Sequence, residues 1–269
     1  MKDVSLGEGV LLLCDDISIS FGGINAVTDF SCEIRNDEIF GLIGPNGAGK
    51  TTIFNIITQF YKPDKGHVYF RDTNGSTLDL TNFKTHDVIK KGLVRTFQNI
   101  ELIKELSLID NLLVGAHIHF EGSFIGMMLR SPKARREEKE LRAKAMGVLE
   151  FLGIAERANH LAAGQPYGVL KKVEMGRAIM SDPRLIIIDE PAAGLNDMET
   201  EELAELVHSI RTQYNCAILL IEHDMKFVMG LCDRVCAISF GKMLAVGTPE
   251  EIQANSDVQE AYLGKEEDS

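Results

Sequence analysis

Eight consecutive residues, Gly44-Pro45-Asn46-Gly47-Ala48-Gly49-Lys50-Thr51, satisfy every fixed position of a phosphate-binding loop, G-x-x-x-x-G-K-[ST]. Glycines at this spacing let the backbone approach an anion closely, and successive N–H groups leading into a helix point at it. In such a loop Lys50 reaches the β- and γ-phosphates, and the Thr51 hydroxyl takes a place on Mg2+. Two more groups with chemical potential follow apolar runs. Asp189-Glu190 ends the run that starts at Leu185, and Glu222-His223-Asp224 ends the run that starts at Ala217. Carboxylates at the C-terminal end of a buried strand stand in the crevice where α/β sheets bind ligands. Asp189 suits the magnesium shell, and Glu190 suits polarising an attacking water. His223 falls at a similar sheet edge, beside the place expected for a γ-phosphate. Gln98 offers a neutral amide, able to meet both metal and water, where the chain passes from its first α/β part into helix. These residues imply binding of a nucleoside triphosphate.

The elements that must hold them are legible nearby. Ile39-Phe40-Gly41-Leu42-Ile43 reads as a buried strand before the loop, and Thr52-Ile53-Phe54-Asn55-Ile56-Ile57 as a helix after it. Leu185 to Ile188 and Ala217 to Ile221 are continuous apolar runs, as central strands covered on both faces should be. Ahead of the loop, Ile17 to Phe21 and Ala26 to Ile34 read as strands around Gly22-Gly23, and beyond the loop and its helix Gly66 to Phe70 reads as another. Helical periodicity dominates from about Asn99 to Ala178. Asn196 caps a later helix, Thr248-Pro249-Glu250-Glu251 is a capping box with Pro at N1, and Ser256 begins a second such device. The simplest architecture is an α/β nucleotide-binding core carrying an inserted helical block.

Composition limits the classes. With 269 residues the chain is long enough for one large domain or two small ones, and 45% hydrophobic with 25% charged residues is ordinary for a globular protein. No apolar run approaches the roughly 18 residues of a membrane span, and no secretory signal is visible, so a soluble intracellular protein is expected. The five cysteines show no metal-ligand spacing and read as buried thiols. A net charge of −12 argues against nucleic acid as the main partner. Charge is uneven, with seven basic and three acidic residues from Arg130 to Lys144. Glu138/Arg142 and Glu140/Lys144 there have i,i+4 spacing, which predicts a solvated helix. The apolar stretch from Phe120 to Leu129 precedes it, and the segment up to Arg136 is a candidate contact with a membrane partner or lipid.

From about Leu11 to Gly264 the chain resembles the ATP-binding subunits of ABC transporters. That resemblance implies an α/β fold: a P-loop (RecA-like) core with an N-terminal antiparallel β part and an inserted helical subdomain. Residues 1–98 and 179–247 then form the core, 99–178 the helical subdomain and signature region, and 248–269 a helical tail. By the same resemblance Phe21 stacks on adenine, Gly44 to Thr51 is the Walker A loop with Thr52 beside it, and Gln98 belongs to the Q-loop. Asp189 and Glu190 are the Walker B aspartate and catalytic glutamate, Ala193 to Asn196 form the D-loop, and His223 is the switch histidine. Glu190-Pro191-Ala192-Ala193-Gly194-Leu195-Asn196, Ile221-Glu222-His223-Asp224-Met225, Gly247-Thr248-Pro249-Glu250-Glu251-Ile252 and Ala261-Tyr262-Leu263-Gly264 are similar to the branched-chain amino acid importer branch.

One segment departs from the family pattern. Gln165-Pro166-Tyr167-Gly168-Val169 occupies the place of the signature Leu-Ser-Gly-Gly-Gln, and only Gly168 agrees. Pro166 has neither the serine hydroxyl nor a backbone N–H, which leaves Tyr167 and Gly168 to face the nucleotide of an opposite subunit. The resemblance implies ATP and Mg2+ as cofactors. It also implies a second ATP-binding subunit, integral membrane permease subunits and, indirectly, an extracytoplasmic substrate-binding protein; the Pro166 departure points to a second subunit of a different sequence. The place of work is then the cytoplasmic face of the membrane. Urea, amides or an exported lipid stay open as cargo. So do a soluble cassette ATPase acting in translation or DNA repair, and a regulatory subunit that binds ATP without hydrolysing it.

Overall fold

Gly22 and Gly23, with φ of 57° and 85°, make the tight turn between β1 (Val10–Phe21) and β2 (Ile24–Arg35), a pair of left-handed residues that suits a two-residue hairpin. β3 (Ile39–Ile43) follows, buried at all five positions, and runs through the phosphate loop into α1 (Lys50–Ile57). β4 (Lys65–Arg71) and β5 (Thr77–Asp79) complete an antiparallel sheet of order β2-β1-β4-β5. These positions come from a computed structural model, which describes residues 6–96, 101–116 and 132–263. Gln98 and most of the Phe120 to Arg136 stretch lie outside the described residues.

After α2 (Thr85–Ile89) and β6 (Leu93–Arg95) the chain enters a separate unit, Thr96–Pro183; the first unit is Met1–Arg95 with Arg184–Ser269. The second unit contains α3 (Leu108–Gly115), α4 (Pro132–Phe151) and α5 (Tyr167–Ile179). Buried Leu108, Leu112, Val148, Leu149 and Val173 form its interior. A Cβ on Gly115 would overlap the Arg177 carbonyl, so α3 and α5 approach as only glycine permits. The basic run on α4 is the solvated helix its spacing predicts, and Arg136 pairs within it to Glu140 at 2.8 Å, but the two pairs singled out by i,i+4 spacing go elsewhere. Arg142 donates to Asp110 at 2.8 Å and Lys144 to Asp182 at 2.7 Å, because cross-element carboxylates come nearer than the i−4 glutamates.

Back in the first unit come β7 (Leu185–Asp189), α6 (Asp197–Tyr214), β8 (Ala217–Ile221), α7 (Met225–Leu231), β9 (Arg234–Ser239), β10 (Lys242–Gly247), α8 (Pro249–Ala254) and α9 (Ser256–Leu263). The second sheet runs β10-β9-β3-β8-β7-β6, parallel except for β10. Leu185, Ile187, Leu219 and Ile221 turn one face of it into a core shared with Ile53, Phe54 and Ile57 of α1 and with Leu12, Phe30 and Phe70 of the antiparallel sheet. Asn196 caps α6 in a reciprocal box with Glu199, and Thr248 does the same for α8 with Glu251. α9 is capped from one residue earlier than its sequence suggests: the Asn255 carboxamide oxygen, not Ser256, accepts from the Asp257 and Val258 N–H groups. Among the described residues no helix is long and apolar enough to cross a membrane.

Candidate nucleotide site

Steric demand explains the glycines of the phosphate loop. A Cβ on Gly44 would overlap the Ile238 carbonyl, and one on Gly49 would sit 2.8 Å from the Ala26 carbonyl at a φ of 106°. Gly49 is the N-cap of α1, where no side chain caps the helix and no acidic residue occupies the first turn. The first N–H groups and the positive end of the helix dipole are thereby left to an anion. Lys50, almost fully buried, donates its ammonium to the Gly44 and Pro45 carbonyls at 2.5 and 3.2 Å. Loop residues from Asn46 through Thr52, together with Asn25, Phe240 and Glu190, line one cavity of about 410 Å3. Phe21 does not line that cavity. It is half-exposed at the end of β1 and meets Tyr61 edge-on with ring centroids 5.2 Å apart.

β8 lies between β3 and β7, so the chain segments that leave these three strands emerge side by side. Asp189 ends β7 almost completely buried. Burial raises its carboxyl above the ordinary carboxylate range, the Glu190 and Glu222 charges add to this, and Arg95 and Lys50 oppose it. A desolvated carboxylate near other carboxylates is one a divalent cation could bind, and the Thr51 hydroxyl at the start of α1 is the other candidate ligand. Glu190 takes a left-handed backbone, φ 45°, unusual for a residue with a side chain, and its N–H donates to the Ile221 carbonyl at 2.8 Å. Its Oε1 lies 3.7 Å from His223 Nδ1, so the glutamate and the histidine do meet.

Two residues at the site have no role assigned to them by the sequence. Glu222, 1% exposed, accepts from Ala192 N–H at 2.9 Å with one oxygen and from His223 N–H at 3.0 Å with the other. Arg95, at the end of β6, sits 3.6 Å from Asp189, donates to Asn55 at 3.1 Å and lies over the Phe54 ring at 3.9 Å. The available signal was a charged residue directly abutting an apolar strand. Tyr167 and Gly168 belong to the second unit, in the first turn of α5 behind Pro166, with Tyr167 partly exposed and its ring 5.5 Å from Lys171 Nζ.

The profile of the ABC transporter family matches residues 27–193. The chain belongs to the ABC transporter family. A second profile, described as the branched-chain amino acid ATP-binding cassette transporter, matches residues 242–268 of this ABC cassette. It is 44% identical over 255 residues to the high-affinity branched-chain amino acid transport ATP-binding protein LivG of Salmonella typhimurium, covering 95% of this chain and 98% of that one. It is 40% identical to BraF of Pseudomonas aeruginosa, described in the same terms, over 95% of the cassette and 98% of BraF. Among solved structures, the ADP conformation of the ATP-binding cassette MJ1267 superposes with a TM-score of 0.81 at 31% identity, covering 95% and 99% of the two chains. A nucleotide-free cassette superposes at 0.80 with 30% identity, covering 95% and 100%. The ABC cassette is therefore an ATPase whose hydrolysis is coupled to transport.

Proposed function

We propose that this cassette powers an importer for branched-chain amino acids, with a working site made by Lys50, Thr51, Asp189, Glu190 and His223. The observation that carries the reading is the meeting of the phosphate loop with Glu190 in one cavity, and of Glu190 with His223 at 3.7 Å. In this reading Lys50 leaves the Gly44 and Pro45 carbonyls for the β- and γ-phosphates, and the bare N-terminus of α1 receives the phosphate charge. Thr51, Asp189 and Gln98 would hold Mg2+, which would offset negative charge on the phosphate oxygens. Glu190 takes the proton of the attacking water, and His223 holds the γ-phosphate from the neighbouring strand end. Phe21 stacks on adenine. The cargo follows from the family resemblance of residues 242–268 and from the printed roles of LivG and BraF.

Pro166 argues for a heterodimer. Two copies of this chain would each offer the other a signature loop lacking the serine donor, and losing one preorganised donor commonly costs about 10²–10³ in rate. Keeping Lys50, Asp189, Glu190 and His223 makes sense beside a different subunit that supplies an intact loop, with Tyr167 and Gly168 facing the partner's slower site. The pair works on the cytoplasmic face of the membrane through permease subunits, fed by an extracytoplasmic binding protein. Two measurements test this. Uptake of leucine, isoleucine and valine should fall together when the gene is deleted and fail to return with Glu190→Gln; unchanged uptake refutes the cargo. Hydrolysis by the lone chain should stay weak at all protein concentrations and rise on adding its partner; fast cooperative turnover alone refutes the heterodimer.

A further inference from the structure

We infer that Glu222 is a positioning residue for hydrolysis, clamping the turn that carries Glu190 to the turn that carries His223. The inference rests on the reading of those two residues given above. One oxygen of its buried carboxylate accepts from Ala192 N–H at 2.9 Å, two residues after Glu190. The other accepts from His223 N–H at 3.0 Å and from Asp224 N–H at 3.4 Å, and lies 3.6 Å from His223 Nδ1. Both oxygens belong to one planar group, so their spacing fixes the distance between two loops far apart in sequence. Hydrogen bonds to a charged acceptor are the strong kind, and a carboxylate only 1% exposed holds its place through them. The Glu190 N–H adds a second tie to the same strand end, through the Ile221 carbonyl at 2.8 Å. Glutamine at 222 would keep the shape and break the logic. Its NH2 must confront either the Ala192 N–H or the His223 and Asp224 N–H groups, donor against donor, and one turn is released.

The test is ATP hydrolysis by Glu222→Gln in the assembled transporter, with kcat and KM for ATP determined beside Glu190→Gln and His223→Ala. A shift of about 1 Å in positioned groups costs up to about 10²-fold, so kcat should fall about 10- to 100-fold with KM unchanged. Adding Glu222→Gln to His223→Ala should cost less than the product of the two losses, because the clamp has value only while both ends matter. A role confined to stability would instead multiply through and lower the unfolding midpoint. Glu222→Asp, which keeps the charge but withdraws it by one methylene, should lose kcat in the same way and carries the test if the glutamine variant does not fold. Wild-type kcat in these variants, losses that multiply, or a raised KM at unchanged kcat would overturn the inference. Wild-type turnover by Glu190→Gln would sink the site reading itself, a separate result.

Discussion

Two glycines of the phosphate loop differ in a way that a pair of alanine substitutions can expose. Gly47 has φ 79° with open space around a notional Cβ, whereas Gly49 has φ 106° and a Cβ there would meet the Ala26 carbonyl at 2.8 Å. Alanine at 47 carries only the left-handed backbone penalty of about 1–2 kcal/mol. Alanine at 49 carries a comparable or larger backbone penalty plus overpacking against main chain, about 1–3 kcal/mol more, for roughly 2–5 kcal/mol in all. The surroundings of the Ala26 carbonyl are already crowded, since a Cβ on Gly241 would overlap the same oxygen and Gly241 is itself held by its N–H donating to the Ala48 carbonyl at 2.8 Å. At about 2–4 °C per kcal/mol for a body of this size, Gly47→Ala should lower the unfolding midpoint by roughly 2–8 °C and Gly49→Ala by roughly 4–20 °C. The assay is thermal unfolding of the nucleotide-free protein, so that phosphate contacts do not enter. Equal shifts, or a larger one for Gly47→Ala, would refute the reasoning from backbone contact.

Glu190→Gln should bind ATP almost normally yet hydrolyse it at least ~100-fold more slowly, while Lys50→Ala should weaken nucleotide binding itself; fluorescent-nucleotide titration and single-turnover hydrolysis separate the two. Asp189→Asn should raise the unfolding midpoint of the nucleotide-free protein at neutral pH. A carboxyl whose pKa is higher folded than unfolded adds stability below the unfolded value and loses it as pH rises through the folded one, so the charged group is a cost at pH 7. The gain should fade as pH falls through the folded value, and a lower midpoint for the variant at pH 7 would contradict this. Burial, with the Asp37 charge behind it, pushes the Cys216 thiol up to about 12. At pH 8 its thiolate fraction is then about 10⁻⁴, so iodoacetamide should reach Cys216 only on unfolding, as peptide mass mapping would report.

Much of this molecule is written locally. The phosphate loop, the apolar strands ending at Asp189 and Ile221, and the boxes at Asn196 and Thr248 are each encoded within a few residues, and each is where the pattern puts it. What the sequence hides depends on which distant segments become neighbours. Arg142 and Lys144 have good partners one turn away, yet packing gives them Asp110 and Asp182. Glu222 reads as a spacer between a strand and a histidine until the Ala192 N–H arrives from thirty positions away. Arg95 likewise acquires meaning only when β6 is laid beside β7 and brings its guanidinium to Asp189.

The left-handed backbone of Glu190, at φ 45°, also bears on how such proteins decay. Glycine is the residue that sits in this conformation without strain. A lineage no longer selected for turnover therefore has a downhill step at hand: a Glu190→Gly change relaxes the main chain while deleting the carboxylate. Inert descendants of this cassette should arise readily and outlast their active parent on heating. On the proposed reading of Glu190 as the base, turnover is therefore held at position 190 against the conformational preference of the chain.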